Sequence, residues 1–154
     1  MKVEFVNPFL QATINVISTM AMITPKPGKP RLKEGNLSRG DVTGIIGLTG
    51  PAEGSLAVSF SASCALKIVE NMLGEKHTEL NDEVADAVGE LTNMISGDAR
   101  AQLQKVGFEF TAAIPTVVRG KDHIVKHISK GGPTVLIPFS TDDGDFYIEA
   151  SFSS

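Results

Sequence analysis

Between Asn81 and Gly107 the residues Val84, Val88, Leu91, Ile95, Ala99, Leu103 and Val106 recur at helical spacing. Turned at about 100° per residue, they fall within a stripe about 120° wide, the geometry of a helix that buries one face. Asn81 is placed to cap this helix and Gly107 to stop it beyond Val106. So long a stripe must lie against other apolar surface. The rest of the chain offers it as short runs rich in β-branched residues: "RLK", "DVTGIIGLT", "SLAVSF", "FEFTAAI", "HIVKHIS", "TVLIPFST" and "FYIEASF". "GPAEG" and "DDGD" stand between pairs of them as hairpin turns. Asn7 and Pro8 signal a second helix over about residues 8–22, with Phe9, Thr13, Val16, Ile17 and Met20 on its apolar side and "TPKPGKP" to end it. Ser61 is placed to cap a third helix through about residue 73, and Gly74 to close it. The pattern predicts an α+β fold, helices packed on a mostly antiparallel sheet.

With 154 residues, 42% of them hydrophobic, residues 1–154 make one domain with enough apolar side chains for a core. A formal charge of −4 opposes the phosphate attraction on which nonspecific nucleic-acid binding depends, so nucleic acid is not an expected partner. The single cysteine, Cys64, lies in an apolar run and reads as a buried hydrophobe; the lack of any disulfide pair points to a reducing, cytoplasmic compartment. Glu4, Asn7 and Pro8 interrupt the N-terminal segment too early for a signal sequence. No segment reaches the roughly 18 continuous apolar residues that a membrane span needs.

Opposite the apolar stripe of the long helix stand Asp86, Glu90, Asn93 and Gly97. A solvated face accounts for the acids and the amide, but an exposed mid-helix glycine costs about 0.5–1 kcal/mol relative to alanine. Gly97, one turn beyond Asn93, therefore reads as room for another surface to approach. The amide of Asn93 donates one hydrogen bond and accepts another, so it can hold a water in a chosen direction without taking its proton. Such a group suits a phosphoryl electrophile already activated on a carboxylate, where transfer is mostly positioning and charge neutralisation. Glu90 beside a phosphate needs a cation, expected from a lysine or arginine of the partner.

"GELTNMISGDA" resembles the Glu-x-x-Asn motif of the CheC/CheX/FliY chemotaxis phosphatases. The likeness runs in order through "NPFLQATINVISTM", "DVTGIIGLTG", "NMLGE", "PTVVRG" and "IPFSTDDGDFYIEASF", nearly the whole chain. The resemblance implies a phosphatase acting on the phosphorylated aspartate of the response regulator CheY, with Asn93 orienting the attacking water and Glu90 pairing with a regulator lysine. It implies Mg²⁺ supplied by the regulator, no cofactor or metal site of the chain's own, and a homodimer joined through the sheets. The alternative is a non-catalytic regulator-binding or flagellar-switch-like adaptor. A weak internal duplication matches "INVIST" with "TNMISG", setting Asn15 against Asn93 and Ala12 against Glu90, so that a complete site is expected on the second helix alone. That single copy resembles the CheX branch.

Other patterns are set aside. Gly44, Gly47 and Gly50 lie in a strand pattern without a following Gly-Lys-Ser/Thr, against a phosphate loop. His123 and His127, read as one strand, stand about 13 Å apart, too far for one ion. No Gly-x-Ser-x-Gly elbow marks a serine hydrolase. The acids of "TDDGD" serve the turn, and those of "DEVADAVGE" serve solubility or steering toward a basic regulator surface.

Overall fold

The computed structural model describes residues 3–33, 40–121, 123 and 133–153. Among these residues three helices, α1 (Val3–Ala21), α2 (Ala62–Leu73) and α3 (Asp82–Lys105), pack on a sheet of eight strands. The strands are β1 (Lys26–Pro27), β2 (Arg31–Leu32), β3 (Val42–Thr49), β4 (Gly54–Phe60), β5 (Thr111–Ala112), β6 (Thr116–Arg119), β7 (Thr134–Thr141) and β8 (Gly144–Phe152). Every pairing is antiparallel, in the order β1-β7-β8-β4-β3-β5, with β2 also on β7 and β6 also on β3. The expected α+β architecture is thus the observed one. Among the described residues no helix is long and apolar enough to cross a membrane.

The order of pairing exposes the duplication. Each half runs helix, two short strands, then a long hairpin: α1, β1, β2, β3–β4, and α3, β5, β6, β7–β8. The two hairpins join back to back through β4 and β8, and the short strands of each half pair with the hairpin of the other. The helices repeat as well, in a frame one residue from the expected one. Phe5, Phe9, Ala12, Thr13, Val16 and Ile17 are buried at the same spacing as Val84, Val88, Leu91, Thr92, Ile95 and Ser96. The Thr13 hydroxyl donates to the Phe9 carbonyl at 2.7 Å, and that of Thr92 to the Val88 carbonyl at 2.8 Å. Thr13 therefore matches Thr92, Gln11 stands where Glu90 does, and Ile14 where Asn93 does. Ala12 is buried, so it was never the counterpart of an outward acid.

Local signals survive where the chain ends its own helices. Asn81 Oδ1 accepts from the Val84 N–H at 2.9 Å, and Gly74, at φ 73°, closes α2 with its N–H on the Glu70 carbonyl. Four expectations are corrected. α1 starts at Val3, not at Asn7–Pro8, and Pro8 lies inside it. Phe5 in that extra turn is buried against the rings of Phe108, Phe110 and Phe152, with centroids 5.0, 5.5 and 5.2 Å away. Burying such a ring yields about 1.5–3 kcal/mol, comparable to the roughly 3 kcal/mol that an interior proline costs. At α2 the Ser61 hydroxyl makes no cap bond; Asp41 Oδ2 accepts from the Ala62 N–H instead, at 2.8 Å. α3 ends at Lys105, leaving Val106 64% exposed rather than on the stripe. "FEFTAAI" pairs only at β5, because Phe108 and Phe110 turn toward Phe5. "HIVKHIS" lies outside the described residues apart from His123, whose Nδ1 sits 2.6 Å from the Gly120 carbonyl.

The face of the sheet toward the helices is apolar, with Ile46, Leu56, Val58, Phe146, Ile148 and Phe152 all buried. The opposite face of the central strands is polar and equally buried. Thr43 Oγ1 lies 2.6 Å from Ser59 Oγ, and Lys33 Nζ donates to Glu149 Oε1 at 2.7 Å with both side chains almost wholly out of water.

Candidate functional site

Asp86, Glu90 and Asn93 share one exposed face of α3, as the helical period requires. They do not project into open solvent. With Asp82, Ala85 and Gly89 they form one wall of a groove of about 670 Å³, whose other wall is Pro115, Val117 and Arg119 from β6 and the residue before it. Among the described residues, neither Glu90 nor Asn93 has a hydrogen-bond or ion-pair partner within the chain. Their polar atoms are left for something outside it.

Two glycine contacts seat the helix beneath this groove. A methyl on Gly89 would lie 3.3 Å from Val117 Cγ2, so the bare backbone lets α3 close on β6. A methyl on Gly44 of β3 would lie 2.0 Å from Thr92 Oγ1. Thr92, buried and bonded back to Val88, adjoins Asn93 in the chain, so this contact sets the height of the amide above the sheet. Gly44→Ala is accordingly expected to cost about 1–3 kcal/mol by overpacking. Its signature is a lower urea midpoint with an unchanged slope.

Arg119 closes one end of the groove. Its Nη2 donates to Asp82 Oδ1 at 2.9 Å and its Nη1 to the Leu80 carbonyl at 3.1 Å, pinning β6 to the start of α3. Three carboxylates thus face the groove against one guanidinium, and that guanidinium is committed to Asp82. A small phosphate dianion would be repelled, whereas a cationic protein surface would be drawn in. Gly97 is not in this groove. It lies one turn further along, in a separate recess with Arg100, Ala101, Gln104 and Glu109, where an added methyl would come no nearer than 3.8 Å to Arg100 Nη2. Among the described residues, nothing demands a glycine there.

The second wall escaped the sequence reading. β6 is four residues long, and its partners, β3 and α3, are distant in the chain. The signal that was present is the β-branched run Thr116–Val118 after Pro115.

Cys64 is buried and its thiol is pushed up to about 12, first by burial, so it is no nucleophile. Among the described residues, one group has metal-ligating atoms within 4.8 Å of one another: Glu75, His77 and Glu83. It lies outside the groove residues. His77 Nε2 is 3.0 Å from Glu83 Oε2, a bond that holds the imidazole above its usual value and favours an ion pair in place of a ligand.

The family model described as "Chemotaxis phosphatase CheX" matches residues 42–140. The chain is 34% identical over 149 residues to the CheY-P phosphatase CheX of Thermotoga maritima, covering 96% of each. Among solved structures it is similar to a CheC-like superfamily protein from Shewanella sp. PV-4, with TM-score 0.93 and 48% identity over the whole of both chains. It is also similar, at TM-score 0.84 and 26% identity over 99% of this chain and all of the other, to a structure of the CheX-CheY-BeF3-Mg²⁺ complex from Borrelia burgdorferi.

Proposed function

This chain belongs to the CheX family of chemotaxis phosphatases, and from that premise we propose that it hydrolyses the aspartyl phosphate of a CheY-type response regulator through Asn93 and Glu90. The observation that carries the assignment is the pairing of these two side chains, one turn apart, exposed, without partners among the described residues, and opening on one groove. The Asn93 carboxamide accepts from and donates to one water, holding its oxygen in line with phosphorus. That oxygen forms the new P–O bond as the bond to the aspartyl oxygen breaks. The carboxylate leaves with the bonding electron pair, and the water's proton passes to the released phosphate or solvent.

Glu90 supplies no proton in this scheme. It meets a lysine of the regulator in a charge-assisted bond and fixes the register of docking. Asp86, also exposed on the groove, adds attraction for the same cationic surface. Mg²⁺ comes with the regulator, in keeping with the Borrelia complex, which contains the ion together with CheY. A cytoplasmic location belongs to the proposal and is supported by the lone, buried Cys64, which has no second cysteine in the chain to pair with. A homodimer joined through the sheet belongs to the same proposal.

Mixing the protein with phosphorylated regulators from the same cell tests it. Phosphate release from one regulator should accelerate, and an aryl phosphate should remain intact. Acceleration of neither would leave the fold without this activity. Gly97 gives a finer check, since the helix gains and the docking surface loses by a methyl there. Gly97→Ala is expected to raise stability by about 0.5–1 kcal/mol while weakening binding of the regulator, both read in one titration series by melting and by KM.

A further inference from the structure

Next to the groove wall at Pro115 the chain turns an exposed apolar corner. Ile114 is 89% exposed, the most exposed of the large apolar side chains described. A solitary exposed isoleucine is ordinary; its setting here is not. It stands on a corner held at both ends: the Ala113 N–H bonds the Gly47 carbonyl at 3.0 Å, and Thr116 pairs with Ile45. Pro115, next to it, is itself part of the groove wall and stiffens the corner further. The backbone thus presents an exposed isoleucine in a fixed place, adjoining Pro115 of the groove wall.

We propose that the Ile114–Pro115 corner is a second docking point for the phosphorylated regulator, an apolar anchor opposite the acidic contacts of α3. This rests on the phosphatase reading above. The regulator is the occupant for two reasons. The corner is continuous, through Pro115 and Val117, with the groove over which Asn93 must meet the phosphoryl group. The groove also leaves Asp86 and Glu90 uncompensated, because Arg119 is already spent on Asp82, so the body that covers it is cationic beside an apolar hollow. An anchored corner fixes the rotation of the regulator about the α3 contact, which one helix face alone leaves loose.

The test compares Ile114→Ser with wild type in steady-state dephosphorylation of the phosphorylated regulator. The side chain is in solvent, so the variant keeps its fold, which its melting curve checks. KM is expected to rise about tenfold with kcat at saturation unchanged, as removal of a surface anchor predicts, and Ile114→Leu to restore it. An unchanged KM overturns the proposal. So does a change of sedimentation state in Ile114→Ser at constant KM, which would assign the corner to a contact between copies of this chain. Asn93→Ala in the same assay separates the layers: if it is inactive while Ile114→Ser is normal, only the corner is wrong; if it is fully active, the phosphatase reading itself fails.

Discussion

Asn93→Ala is expected to slow stimulated release of phosphate about a hundredfold or more and to leave the fold untouched. The two halves of that expectation have different physical sources. Asn93 is exposed and makes no hydrogen bond among the described residues, and alanine is the better helix former, so the melting temperature should hold or rise slightly. The rate falls because the reaction is almost all positioning: losing the group that holds a water in line costs on the order of a hundredfold even when every charge remains. Asn93→Asp sharpens the point. It keeps the shape but puts a carboxylate against the phosphoryl oxygens, and it should be no more active than alanine. Wild-type rates of phosphate release from either variant would remove the amide from the mechanism.

The second large effect lies on the other side of the sheet. Glu149→Ala is expected to cost about 3–5 kcal/mol, because it strands the Lys33 ammonium where it is 3% exposed. A domain of this size holds only about 5–15 kcal/mol in all, so chemical unfolding should begin at much lower urea. Replacing both partners with apolar residues of similar size, Lys33→Met with Glu149→Leu, should recover most of that loss. If the single variant unfolds at the wild-type midpoint, the pair contributes nothing and the polar face is held by its hydroxyl contacts instead.

What the sequence disclosed follows from how local each signal was. The long helix, its Asn81 cap and its outward Glu90 and Asn93 were legible because a 3.6-residue period and a cap bond involve residues a few positions apart. The start of α1 was not, since the residues that draw Phe5 into the core lie at Phe108, Phe110 and Phe152, far along the chain. The cap of α2 misled for a similar reason, Asp41 reaching in from the approach to β3. Half of the site was hidden likewise. Nothing near residue 90 announces that Val117 and Arg119 will face it; only the pairing of β6 with β3, and the bare backbone of Gly89, bring them across. The duplication was visible in outline, but its frame became clear only from burial, which aligns the two threonines rather than the two asparagines.

The crossing of short strands between the two hairpins explains why half a molecule with no reactive face of its own persists. A chain trimmed to its second half would strip β7 of β1 and β2, deny β5 and β6 their seat on β3, and uncover the edge of β8. The silent copy is thus a splint for the working one. Its outer surface contributes none of the groove residues, while its interior is tied to a neighbour whose chemistry it does not share.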